Sequence, residues 1–388
     1  MFATFSVEEI YSYIFNNIWD SVLLFLLLVV LVYELYFLLR YIRKGAQVTT
    51  STNGTEELPG VSVVVCARNE EDNLQEYLHN LLTQDYPKYE VIVVDDGSED
   101  QTRMILELYA RQCTNLYHTF VPQGARVVSS KKLALTIGIK AANYDYILLT
   151  DADCRPESKN WIREMMSGFA DDKTELVLGF SPYFEHNSIL SRIISYDTLW
   201  SGLLYMGMAR SGHPYMGVGR NLAYRRGTFF ANNGFQGLLS ERSGDDDLFV
   251  NKVATAANTR VVCNRESLTW SSPKETWREW MQQKRRHLSV SPLYRVSSKL
   301  RIGMEPLIRG IMYALLIISV MYGGWCAFVA LGVWLLRSLV QWIILTVATS
   351  RLGLRHIGLG MTMYDVILPI ITIYILITKK LRRMPMYW

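Results

Sequence analysis

YILLTDADC, residues 146–154, is the most informative stretch of this 388-residue chain. Its apolar run is the length of a buried strand, and it ends in two carboxylates, Asp151 and Asp153, separated by one alanine. Alternate residues of an extended turn can point the same way, so both carboxylates can face one cation. Mg²⁺ or Mn²⁺ suits such a pair, because such an ion keeps few protein ligands and completes its shell with phosphate oxygens and water. It would neutralise charge developing on a departing diphosphate. Taken alone, two aspartates at this spacing also describe an ordinary solvated loop.

Working outward, the pattern repeats. VSVVVCA (61–67) reads as a buried strand, followed by a helix from about Glu70 to Leu82. EVIVVDDGS (90–98) is a second strand ending in carboxylates, Asp95 and Asp96, and a turn. A helix over 100–112, a strand over 116–121 and a helix over 131–142 lead back to 146–154. Strands alternating with helices predict an α/β domain on a parallel sheet. Such sheets bind ligands at the carboxyl ends of their strands, where both Asp-rich turns lie. No GxGxxG follows the first strand, which argues against a dinucleotide cofactor.

The ends of the chain are different. Half of the residues are hydrophobic and 20% are charged, and the apolar excess sits at the two ends. SVLLFLLLVVLVYELYFLL (21–39) is one bilayer's worth of helix. Arg40, Arg43 and Lys44 follow it and put that end in the cytoplasm. Residues 1–45 are read as a membrane anchor, 46–59 as a linker, 60–300 as a cytoplasmic catalytic domain and 301–388 as membrane helices. Within the last region spans are expected at 305–321, 325–347 (hinged at Gly323-Gly324) and 362–378. Three spans would leave Lys379, Lys380, Arg382 and Arg383 outside, against the positive-inside trend. A re-entrant last segment or a single span over 311–336 would remove that conflict. Arg337 at membrane depth calls for a partner or a polar cavity. Residues 188–209 carry apolar positions at helical spacing, as a core helix or one lying in the membrane interface would.

Net charge is +4, too small for a nucleic-acid footprint. The five cysteines form no CxxC pair and read as reduced thiols. Further candidate chemistry lies in Arg68-Asn69-Glu70 after the first strand and in Lys131-Lys132, a cation pair at a helix start that suits phosphate. It also lies in Gly244-Asp245-Asp246-Asp247, where one carboxylate could be a general base and the others could cap a helix or pair with arginines such as Arg242. Trp277, Trp280, Gln283, Arg285, Arg286 and His287 form an aromatic and basic stretch that could hold diphosphate and acceptor or rest on lipid headgroups.

Together and in this order, VSVVVCARNE, VIVVDDGS, KKLALTIGIKAA, LLTDADC, GRNLAYRR, GDDDL and QKRRH resemble the family 2 glycosyltransferases over roughly residues 60–290. The flanking segments resemble the integral-membrane branch, which includes synthases of cellulose, hyaluronan, chitin and poly-N-acetylglucosamine, and ceramide glucosyltransferase. The resemblance implies a GT-A type domain in a bacterial inner membrane. It implies an inverting transfer from a nucleotide sugar, with UDP as the nucleotide, to a lipid or saccharide hydroxyl. Ala67, Arg68, Glu70, Asp95, Asp96, Lys131 and Asp151 would bind the nucleotide sugar, and Asp151 and Asp153 the Mg²⁺ or Mn²⁺. Asp245, or Asp246 one residue on, would be the base. Gln283, Arg286 and His287 would meet diphosphate and acceptor. Two positions depart from the family: Gly244 stands where Glu is usual, and His287 where Trp is usual, which puts processive synthesis in doubt. A polyprenyl-phosphate glycosyltransferase, a processive synthase and an inactive membrane scaffold are the rival readings.

Overall fold

The computed structural model describes residues 18–49, 58–122, 130–239, 241, 243–355 and 360–381. Arg242, Arg382, Arg383 and most of the expected linker, 50–57, lie outside the described residues. After helix α1 (Ile18–Gly45) come β1 (Val61–Ala67), α2 (Glu71–Leu82), β2 (Tyr89–Asp95), α3 (Thr102–Gln112), β3 (Leu116–Phe120), α4 (Ser130–Ala141) and β4 (Tyr146–Asp151). Then follow β5 (Cys154–Pro156), α5 (Trp161–Ser167), β6 (Leu176–Leu178), α6 (Ile189–Arg210), β7 (Leu222–Arg225), α7 (Arg226–Ala231), α8 (Asp247–Val253), β8 (Thr259–Val261), β9 (Thr269–Ser271) and α9 (Trp277–Val290). The chain ends in α10 (Val296–Tyr322), α11 (Gly324–Leu352) and α12 (Gly360–Leu381).

The main sheet runs β3-β2-β1-β4-β7-β6-β8. Its first four strands are parallel, as the alternating pattern requires. Every residue of β1 is buried, as expected of a strand covered by helices on both faces. Beyond β4 the expectation of a purely parallel sheet is corrected, because β7 pairs antiparallel with both β4 and β6. The stretch 146–154 is also two strands. β4 stops at Asp151, and Cys154 starts β5, which pairs with β9 in a separate ribbon.

Among the described residues, four helices are long and apolar enough to cross a membrane: Ile18–Gly45, Val296–Tyr322, Gly324–Leu352 and Gly360–Thr378. A single span over 311–336 does not form, because the chain breaks at Gly323 and Gly324, with φ of 81° and 63°. α6 is a core helix, with 14 of its 22 residues buried. It crosses the end of α1 at glycine contacts, where a Cβ on Gly207 would sit 1.8 Å from the Tyr41 carbonyl oxygen.

Arg337 has its partners. It bonds Glu34 of α1 at 3.1 Å and Asp365 of α12 at 2.7 Å. Asp365 also accepts from Arg309 and Tyr313 of α10, Gln341 of α11 and Tyr196 of α6. One carboxylate thus ties three long apolar helices and α6 together. Removing one member of a buried ion pair strands the others, at a cost of about 3–5 kcal/mol. Arg337→Met is therefore expected to lower the thermal midpoint of the detergent-solubilised protein clearly. An unchanged midpoint would show that the cluster contributes no net stability.

Candidate active site

The strand register brings the predicted residues together. Ala67 lies opposite Asp95, and Cys66 opposite Asp151. The carboxyl ends of β1, β2 and β4 therefore open on one crevice. Asp95 accepts from the backbone N–H and hydroxyl of Ser98, at 2.8 and 2.6 Å, and Asp96 N–H donates to the Ala67 carbonyl at 2.8 Å. Asn69, in the left-handed region with φ 55°, donates its N–H to Ser98 Oγ and accepts from Glu99 N–H. These bonds lock the two strand ends to each other. Arg68 lies just past β1. Burial raises the pKa of Glu70, the bond from Asn73 opposes this, and Asp153 and Asp151 raise it further. Glu70 is thus within electrostatic reach of the Asp151–Asp153 turn.

In that turn Asp151 accepts from Lys131 Nζ at 2.8 Å, and Asp153 accepts from Ser271 Oγ at 2.9 Å. The β5–β9 ribbon delivers Ser271 to this place. Burial works against the charge of Lys131, but Asp151 and Asp245 hold its pKa well above the usual value. Burial would raise that of Asp151, but Lys131, then Arg220 and Arg286, pull it down. Among the described residues no third His, Cys, Asp or Glu completes a metal-ligand group. Two carboxylates of hard oxygen fit Mg²⁺ or Mn²⁺, which leave their other positions to phosphate oxygens and water.

The three aspartates before α8 have separate environments. Asp245 is 3.5 Å from Lys131. Asp246 accepts from Gly219 N–H at 2.7 Å and, as the cap of α8, from Asp247 N–H at 2.8 Å. Asp247 accepts from Tyr294 Oη at 2.6 Å and Leu248 N–H at 2.7 Å. Asp245 is thus the member aimed at the other candidate residues, while Asp246 has both oxygens committed to backbone. Gly244 holds φ 93°, and a Cβ there would lie 2.4 Å from Leu248 Cδ1. That leaves no room for the family's usual Glu. Lys132 does not reach the crevice. It is fully buried and donates to the carbonyls of Glu241 and Ser243, holding this loop from behind.

α9 forms the opposite wall. Gln283 donates to Tyr183 Oη at 3.0 Å, and Arg220 lies 4.3 Å from the centre of the Tyr183 ring. His287 is exposed on α9, and crowding by the surrounding protein, then the charges of Arg286, Arg220 and Lys284, lower its pKa. Sequence reasoning missed Arg220, Tyr183 and Ser271. Arg220 stood inside the quoted run GRNLAYRR, whereas nothing local marked the other two.

The description "Glycosyl transferase family group 2" matches residues 146–377, and "Glycosyl transferase family 2" matches residues 62–226. This chain is a family 2 glycosyltransferase. The glycosyltransferase is 28% identical to "Probable glycosyltransferase YdaM" of Bacillus subtilis over 240 residues, covering 60% of this chain and 55% of that one. It is 33% identical to the poly-beta-1,6-N-acetyl-D-glucosamine synthase of Staphylococcus epidermidis over 98 residues, 25% of this chain and 23% of the synthase. The matches thus span about half of YdaM and a quarter of the synthase. The mannosyltransferase PcManGT of Pyrobaculum calidifontis, solved with GDP-Man and Mn²⁺, superposes with a TM-score of 0.57 at 19% identity, covering 85% of this chain and 99% of that one. The glycosyltransferase therefore has a GT-A fold, flanked by apolar helices that suit the membrane branch of its family.

Burial, and then Asp246, push the pKa of Asp247 up to about 7, against the bonds from Tyr294 and Leu248. The unfolded group titrates near 3.9. Between these values the folded glycosyltransferase keeps a proton that the unfolded chain has lost, so stability falls as pH rises from about 4 to about 7. Asp247→Asn keeps an acceptor for Tyr294 and removes that titration. Its thermal midpoint is expected to fall less steeply over this window; parallel curves for variant and wild type would refute the assignment.

Proposed function

We propose that this glycosyltransferase moves a sugar from a nucleotide diphosphate donor, with UDP the expected nucleotide, to a hydroxyl of a lipid or saccharide acceptor, inverting the anomeric centre. The observation that carries this reading is the position of Lys131, 2.8 Å from Asp151 and 3.5 Å from Asp245. One cation thus joins the expected metal motif to the expected base. Ala67, Arg68, Glu70, Asp95 and Asp96 line the nucleoside end of the crevice. Asp151 and Asp153 would hold Mg²⁺ or Mn²⁺, which supplies charge neutralisation to the diphosphate when bound. Asp245 takes the acceptor proton, Lys131 faces that carboxylate at 3.5 Å, and α9 closes the acceptor side with Gln283, Arg286 and His287. PcManGT, solved with a nucleotide sugar and Mn²⁺, supports the same pairing here. Arg40, Arg43 and Lys44 after the first apolar helix support a cytoplasmic location for residues 60–300.

Asp245→Asn is expected to keep donor and metal binding and to lose transfer by about 10²–10⁴-fold, the range for removal of a general base. Asp246→Asn should cost more in stability than in transfer. Nucleoside diphosphate release is to be scored over a panel of nucleotide sugars, with donor affinity measured separately. Lost transfer with intact binding in Asp246→Asn alone would move the base by one residue. Full turnover in EDTA would remove the metal from the reading.

A further inference from the structure

Arg220 has no role in the reading so far, yet its side chain is built like a ligand-binding arm. It lies in the tight turn Gly219–Asn221 that leads into β7, and its neighbours are fixed on both sides. Gly219 N–H is held by Asp246, and Asn221 donates to the carbonyls of Phe180 and Ser267 and accepts from Trp161 Nε1. The guanidinium is spread on the Tyr183 ring, 4.3 Å from its centre, and Tyr183 is itself bonded by Gln283. Nη2 makes one long bond, 3.3 Å, to the Ser181 carbonyl. Nη1 is buried and has no hydrogen-bond partner among the described residues. Among the described residues neither Arg220 nor Arg286 joins an ion pair, whereas Lys284 on the same wall is matched by Asp197 at 2.6 Å. Tyr183 is bridged to Ser271, whose hydroxyl bonds Asp153, so the ring under Arg220 connects directly to the Asp151–Asp153 turn.

A buried cationic N–H without an acceptor costs free energy that an arriving anion offsets. A planar guanidinium, fixed by stacking, presents two parallel donors and suits a phosphate. Arg220 stands beside the aspartates expected to hold the cation, so the anion in its reach is the donor's diphosphate.

We propose that Arg220 contacts the leaving diphosphate and, with Arg286, forms a two-arginine wall for it. This rests on the nucleotide-sugar reading above. In the step, the bond from the anomeric carbon to the diphosphate oxygen breaks and its electron pair stays on that oxygen. The acceptor oxygen bonds to the anomeric carbon, and its proton passes to Asp245. Arg220 stabilises the charge that accumulates on the leaving group.

The test compares the affinity of the full-length, detergent-solubilised protein for UDP and UMP, or GDP and GMP if the wild type prefers guanine, in Mn²⁺ buffer. Arg220→Met should weaken the diphosphate by about 10–100-fold, the range for a bond to a charged group, and leave the monophosphate nearly unchanged. Arg220→Lys should fall between, and carries the test if the Met variant does not fold. Equal losses for both nucleotides, or no loss, would overturn the proposal. So would a parallel loss of Mn²⁺ affinity without nucleotide, which would make Arg220 a prop for the Asp151–Asp153 turn. Intact diphosphate affinity with weakened acceptor binding would place it on the acceptor instead. If the wild type binds neither nucleotide, the donor reading itself fails and takes this inference with it.

Discussion

Lys131 Nζ meets Asp151 at 2.8 Å and Asp245 at 3.5 Å, bringing together the first turn of α4, the end of β4 and the loop before α8. An ion pair in open water contributes little, about 0–1 kcal/mol. In this crevice its main effect is arrangement. Without the lysine, two carboxylates of different expected roles would repel each other uncompensated. Lys132, the next residue, points the other way and grips the backbone that presents Asp245. Two adjacent lysines thus serve one loop from two sides.

The second constraint is mechanical. Asp365 gathers Arg309, Arg337, Tyr313, Gln341 and Tyr196, so the long apolar helices and α6 share one polar centre. α6 also pairs with α9 through Asp197 and Lys284 at 2.6 Å. The wall carrying Gln283, Arg286 and His287 therefore stands at a position set by the apolar helices. A domain without these helices would need its own packing to fix that wall; here the apolar helices supply part of it.

Much of the fold was legible because it depends on local pattern. Buried strands such as 61–67 and 146–151 have no polar face to disguise them, and a span such as 21–39 needs only length and hydropathy. The break at Gly323-Gly324 was readable for the same reason. The antiparallel insertion of β7 was not, since strand direction depends on which edge is free when the strand arrives. The partners of Arg337 were likewise hidden, since Glu34 and Asp365 lie 303 and 28 residues away.

The sequence by itself determined the order of the motifs, the carboxylates at strand ends, the apolar helices and hence the family, because these follow from residue type at fixed spacing. Only the tertiary structure separated Asp245 from Asp246 and Asp247, turned Lys132 away from the crevice and brought Arg220, Tyr183 and Ser271 to it. Three adjacent aspartates are chemically alike in a sequence. They differ once Gly219, Tyr294 and Lys131, from distant parts of the chain, each take up a different carboxylate.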